Sequence, residues 1–230
     1  EHVRKILKYR LGWTSQKPQR KAKERDEDGI RHWQEVDFPR IVKEARQRDA
    51  HLVFLDESGF QLTPVVRRTL APRGQTPVLR CVYRRDKISA VSAITLTPRR
   101  YLPDLFFRLL PAKENFTAAR MVDFLKELRQ ALPRFTVVWD RSRIHSRSKV
   151  VKAYLAEHPE IVAEDFPGYA PELNPDEMVW CWTKYGRLSN YAAHDAATLR
   201  IRVATELETL KRQAYKLLDF VDHTGLSLAA

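Results

Sequence analysis

The chain has 230 residues, 43% of them hydrophobic and 10% aromatic, which is enough apolar material for a packed core and excludes disorder throughout. No apolar run exceeds five residues, against the roughly 20 needed to cross a bilayer, so no membrane partner and a cytoplasmic location are expected. Lys and Arg number 41 against 29 acids, a net charge of +12, and this balance favours polyanionic partners such as nucleic acid.

Residues 1–25 are the most basic stretch, with nine Lys or Arg against Glu1 and Glu24. Val3, Ile6, Leu7 and Leu11 fall at helical spacing, and Gly12 reads as a stop. One short amphipathic helix cannot bury its own face, so it reads as the last piece of a larger unit. Thr14–Arg25 follows without apolar periodicity as a basic linker. Arg4, Lys5, Lys8, Lys17, Arg20, Lys21 and Lys23 are candidate phosphate contacts, with a solvated tail as the alternative. Residues 26–50 form a helical connector. Its apolar members are Ile30, Trp33, Ile41, Val42 and Ala45, and Pro39 is expected to break it in two.

The main domain, residues 51–230, begins at His51. Leu52-Val53-Phe54-Leu55 is a continuous apolar run, the mark of a strand buried on both faces, and Asp56 ends it. Val78–Tyr83 and Lys87–Thr97 are two more expected strands, joined by a charged turn. Arg84, Arg85 and Lys87 at that turn, with Arg67, Arg68 and Arg73 before it, are further candidate phosphate contacts. Leu105–Leu110 is a candidate strand. Thr117–Leu132 is an amphipathic helix capped by Thr117. Phe135–Trp139 is a second buried strand, ending in Asp140. Ser146–His158 is helical and Ile161–Phe166 a short strand. Pro167–Pro175 is a turn-rich loop, from which a helix starts near Asn174-Pro175 and runs through Leu188. Ala196–Asp219 reads as one long helix. This order describes an α/β domain with a mixed sheet. Cys81 and Cys181 have neither disulfide nor zinc spacing, and both are expected half-buried.

Two buried strands that each end in an aspartate are the chemical signal. A carboxylate just past such a strand is rigidly held and points out of the core. Where the strands are neighbours the two acids repel unless a cation lies between them, and oxygen-only ligation suits Mg²⁺ or Mn²⁺. Either acid alone is as readily a turn former. Glu177 is ambiguous: with Asn174 as cap and Pro175 first in the helix, it occupies the far corner of a capping box. Glu57 on the strand points to the face opposite Asp56, and Asp176 lies about 100° round the helix from Glu177. Glu172 lies in the loop, where it can cap or pair with a base.

Three stretches resemble the motifs of the DDE transposases of the mariner-like superfamily, in its bacterial insertion-sequence branch. They are Leu52–Phe60 around Asp56, then Val137-Val138-Trp139-Asp140 with His145 five residues on, and Phe166–Trp180 around Glu177. The third, proline-x-tyrosine-x-proline-acid-leucine-asparagine-proline-x-glutamate followed by tryptophan, is the most specific. Thirty-six residues separate Asp140 from Glu177, a spacing this branch uses. The resemblance implies a ribonuclease H-like α/β fold, its mixed sheet flanked by helices, with a short helical and basic N-terminal extension. Residues 1–25 would then be the end of a helix-turn-helix DNA-binding region and its linker. It implies that Asp56, Asp140 and Glu177 are catalytic and bind two Mg²⁺, with Mn²⁺ as a substitute, and that His145 supports them from behind; Arg141, placed behind them too, is a cation that either pairs with phosphate or weakens the metal. The implied reaction is cleavage at transposon ends followed by attack of the 3′-hydroxyl on target DNA. The implied partners are the inverted-repeat ends, the target DNA and, on DNA, a second copy of the chain, at the nucleoid. The chain departs from the pattern at Arg141, where the family carries asparagine, and at Leu70, where it carries tryptophan. A catalytically silent DNA-binding or assembly remnant, or another nuclease on the same fold, is the alternative.

Overall fold

The structure, a computed structural model, describes residues 2–16, 18, 21–84 and 86–228. Helix α1 (His2–Lys5) widens into π turns over Ile6–Arg10 and ends where expected: Gly12 takes a φ of 66°, and Trp13 N–H returns to the Leu7 carbonyl at 2.9 Å. No residue of this segment is buried. Asp26 caps α2 (Glu27–His32), its carboxylate accepting from Gly29 N–H at 2.9 Å. The helix does not break at Pro39, contrary to expectation. It widens into π turns over Trp33–Asp37 and continues as α3 (Phe38–Gln47), with Pro39 in its first turn. The π turns shift the hydrogen-bond register just ahead of the proline, where a missing N–H is tolerated.

The described residues form one sheet of five strands: β1 (His51–Gln61), β2 (Lys87–Leu96), β3 (Pro103–Leu109), β4 (Phe135–Trp139) and β5 (Ile161–Asp165). Their spatial order is β3-β2-β1-β4-β5. The three N-terminal strands pair antiparallel, and β4 and β5 add on in parallel. The parallel ladder between β1 and β4 runs from His51↔Phe135 to Phe54↔Val138 and stops, while β1 stays paired to β2 as far as Gln61↔Lys87. Asp56 therefore lies within β1 and not at its end. It sits just past the point where β1 and β4 separate.

Alternation of side chains along each strand divides the core in two. On one face Phe54, Phe60, Ala90, Ile94 and Val138 pack under α2, α3 and three later helices: α6 (Asp176–Cys181), α7 (Ala196–Lys211) and α8 (Ala214–His223). On the other, Val53, Leu55, Val91, Ala93, Val137 and Trp139 pack under α4 (Ala118–Ala131) and α5 (Lys149–Glu157). Thr117 and Ser148 cap these last two helices through their hydroxyls.

Three further expectations fail. Val78–Tyr83 is not a strand: β2 is already paired on both sides, and Val78 and Tyr83 are 85% and 87% exposed. The final long helix is two, because Gln213 leaves helical geometry (φ −109°, ψ 66°), and the turn lets Leu217, Phe220 and Val221 reach the core. Cys181 is exposed, while Cys81 is half-buried as expected. Phe54 is fully buried and stands 6.3 Å from Phe38 and 6.4 Å from Phe166, ring centroid to ring centroid. Truncating it empties the junction between the connector and the sheet. Phe54→Ala should lower the free energy of unfolding by about 3–5 kcal/mol, read from urea denaturation.

Candidate active site

Asp56, Asp140 and Glu177 all line one cleft of about 730 Å³. Asp56 rises from β1 on the face shared with α6. Asp140 follows directly on β4, and its Oδ1 accepts from Ser142 N–H at 3.0 Å. Glu177 lies in the first turn of α6. That turn is fixed to the sheet by Asn174, whose side-chain amide donates to the Leu55 carbonyl at 3.1 Å while its Oδ1 accepts from Asp176 N–H at 3.1 Å. Asn174 is thus the expected cap. The reciprocal half of the capping box is not made, because the Asn174 N–H bonds the Pro171 carbonyl at 3.0 Å. The Glu177 carboxylate is left facing the cleft.

The electrostatics follow from this crowding. Burial, then the charges of Glu177 and Glu57, push the Asp56 carboxyl well above the usual range. Glu177 is raised by desolvation, an effect countered by Lys184 and reinforced by Asp140. Lys184 extends over the Phe60 ring at 5.3 Å and donates to Ser58 Oγ at 2.6 Å. Desolvation lowers its pKa, while Glu177 and Asp56 hold it up. Below the cleft Asp176 is fully buried, accepts from Ser92 Oγ, and is pushed well up by burial and then by Asp56 and Glu177.

His145 is completely buried and stacks parallel on Trp139, with centroids 4.7 Å apart and planes at 3°. Its Nδ1 lies 2.6 Å from Asp140 Oδ1, and its Nε2 lies 2.7 Å from Glu57 Oε1. Burial alone would lower its pKa, but the two carboxylates outweigh burial and raise it to about 10. The same contact brings Asp140 below the usual carboxylate range against its own desolvation. Glu57 does point away from Asp56, as strand alternation requires, yet it is joined to Asp140 through the histidine. Among the described residues no three His, Cys, Asp or Glu side chains stand together as a ready-made metal cage; Asp140 is turned onto His145.

The basic candidates lie elsewhere. Arg141 reaches the cleft lining, as does Arg147, which sequence reasoning did not single out. Arg4, Lys5, Lys8, Lys23, Arg84 and Lys87 are exposed and away from that lining. Lys21 pairs with Glu27 at 2.8 Å, and Arg67 holds the Tyr185 carbonyl at 2.5 Å. Lys17, Arg20 and Arg85 fall outside the described residues. Glu172 is taken by Arg25, which also donates to the Tyr169 carbonyl at 2.6 Å. Lys184 and Ser92 were missed, and Asp176, weighed against Glu177 in the sequence, lies buried beneath the cleft. Lys184 sits seven positions after Glu177, two helical turns on, and that periodicity was the available signal.

A five-stranded sheet in this order and sense, with helices on both faces and acids gathered past the parallel strands, is the ribonuclease H-like fold. A family model described as DDE superfamily endonuclease matches residues 51–200, and the chain belongs to that family. Curated proteins yielded no sequence match. Among solved structures, the Mos1 mariner paired end complex with Mn superposes with a TM-score of 0.65 at 15% identity, over 97% of this chain and 68% of that one. A pre-cleavage Mos1 transpososome gives 0.65 at 16%, over 100% and 70%. The Mos1 strand transfer complex gives 0.63 at 17%, over 97% and 69%.

The His145 shift fixes a pH dependence. Its folded pKa of about 10 exceeds the ordinary 6.5, so its contribution to stability is complete below about pH 6.5 and fades as pH climbs to about 10. Asp140 is depressed, so its contribution is present above its ordinary 3.8 and fades on further acidification. Metal-free protein should therefore lose thermal stability steadily from pH 6.5 to 10, and His145→Gln should flatten that slope. Calorimetric melting across the range reads both.

Proposed function

We propose that this chain is the catalytic domain of a transposase, cutting and rejoining DNA with divalent metal ions held by Asp56, Asp140 and Glu177. The observation that carries this reading is the convergence of three acids, from three separate motifs, on one cleft with Arg141, Arg147 and Lys184 around it. The carboxylates fit a hard cation: the donors are oxygen only, and their mutual repulsion is the deficit a cation removes. When bound, Mg²⁺ or Mn²⁺ supplies activation of a hydroxyl nucleophile and charge stabilisation at the leaving oxygen of a phosphodiester.

The chain's own residues do the rest. Lys184 sets a cation beside Glu177 and Asp56, where a phosphate oxygen of the cut strand would find it. Arg141 and Arg147 hold the backbone at the cleft. The asparagine-to-arginine departure thus adds a phosphate partner next to Asp140. Asn174 keeps Glu177 at a fixed distance from β1. Residues 1–25 serve as the end of a DNA-binding region and a linker that follows the phosphate backbone, with transposon ends and target DNA as substrates and a second copy of the chain joining on DNA. A second reading, a silent DNA-binding remnant, is favoured by one observation: Asp140 is already engaged by His145 and Ser142.

Duplexes from the DNA flanking its gene, intact and pre-nicked, decide between them with Mg²⁺ or Mn²⁺ present. Metal-dependent cleavage should fall at least about 100-fold in Asp56→Asn and in Glu177→Gln. Equal cleavage by the variants and the unmutated chain, or none by any of them, would remove the nuclease reading. Duplex affinity should fall steeply with salt. Arg84→Ala combined with Lys87→Ala should make the log–log slope shallower by about 1 for each phosphate no longer neutralised. An unchanged slope would take those two residues out of the DNA path.

A further inference from the structure

Glu57 follows the first cleft aspartate in sequence but belongs to the opposite face of β1, among residues that pack under α4 and α5. A carboxylate there would ordinarily be a liability, since neighbouring positions Val53, Leu55 and Val91 are wholly apolar. Among the described residues its side-chain partner is the Nε2 of His145 at 2.7 Å, and 20% of its side-chain surface stays open to solvent. The histidine in turn has no latitude. Its ring is fully buried, lies flat on Trp139, and presents its other nitrogen to Asp140 Oδ1 at 2.6 Å. Glu57, His145 and Asp140 thus form a continuous relay from the far side of the sheet to the cleft.

We infer that Glu57 is a positioning residue, acting through His145 to set the orientation of the Asp140 carboxylate and hence the affinity of the cleft for a divalent cation. This rests on the reading of Asp140 as a metal ligand. The physical argument is that both ring nitrogens face carboxylate oxygens, so the histidine is held at both ends. Remove Glu57 and Nε2 loses its acceptor in a buried site, where an unpaired donor is costly. The ring then gains freedom to tilt off Trp139, and Asp140 keeps the Ser142 N–H but loses the nearer of the two donors that fix its Oδ1. Groups that orient metal ligands in this way typically change metal affinity about 10–100-fold when removed.

A double-mutant cycle on Mn²⁺ affinity tests this with the full chain and no DNA, reading free Mn²⁺ by electron paramagnetic resonance. Glu57→Leu should weaken Mn²⁺ binding about 10–100-fold, His145→Leu by a similar factor, and the double variant no more than the larger of the two, since both act along one line. Glu57→Gln keeps an oxygen acceptor for Nε2 and should stay within about threefold of the unmutated chain. A purely structural role would not produce that rescue together with full non-additivity. Unchanged Mn²⁺ affinity in Glu57→Leu, or effects that multiply in the double variant, overturns the inference. Asp140→Asn separates the two levels: if it leaves Mn²⁺ affinity intact, the metal-ligand reading has failed and the relay falls with it. If it abolishes binding while Glu57→Leu does nothing, the relay alone has failed.

Discussion

The parting of β1 from β4 is the constraint on which the cleft depends. The two strands share a parallel ladder only as far as Phe54 and Val138, after which β1 continues against β2 alone. Had the ladder run on, the backbone beside Asp56 would be closed by a neighbouring strand. The gap instead opens where the alternation brings Asp56 to the α6 face, and Asp140 follows one residue past the end of β4. Two carboxylates come to one opening through strand register, with no loop needed to aim them.

Register also explains why the opening is so heavily acidic and still folds. Asp56 and Glu57 are adjacent in sequence but lie on opposite faces, so their charges are divided between two partners. On one side Lys184 and the raised carboxyls of Asp56, Asp176 and Glu177 share the burden. On the other, His145 carries a positive charge between Glu57 and Asp140. The sheet acts as a partition, and each side relieves its crowding by its own means: shifted acids in the cleft, an ion-paired imidazole behind it.

How much of this the sequence disclosed depended on the range of the interaction involved. Leu52–Leu55 and Phe135–Trp139 were legible as buried strands because a run of apolar residues is a local signal. So were the caps at Thr117 and Asn174. The continuation of β1 past Asp56 was not, because Glu57, Ser58 and Gly59 carry no strand pattern; what extends the strand is β2, some thirty residues away. Val78–Tyr83 failed for the converse reason. Its pattern suits a strand, but both sides of the neighbouring β2 were taken, by β1 and β3. The break at Gln213 has neither glycine nor proline to announce it and follows from the need of α8 to bury Phe220 and Val221. Glu177 was ambiguous between cap and site on local grounds, and a tertiary detail decided the geometry: Pro171 takes the Asn174 N–H that a capping glutamate would have used.

The loop that leads to Glu177 is itself held from outside the domain. Arg25, at the end of the basic N-terminal stretch, places its guanidinium across both oxygens of Glu172 and onto the Tyr169 carbonyl. Tyr169 sits at a φ of 59°, a conformation that a non-glycine residue holds only when its surroundings fix it. Trp33 of the connector adds a second tie through its indole N–H to the Asp165 carbonyl at 3.1 Å. The same connector supplies Asp26, Gly29, Trp33 and Asp37 to the cleft wall. Displacement of residues 21–37 therefore has a direct path to the turn preceding α6, and through Asn174 to the backbone beside Asp56. Arg25 and Trp33 thus fasten residues 25–33 to the segment that leads into α6, and the position of that segment is set jointly by the connector and the sheet.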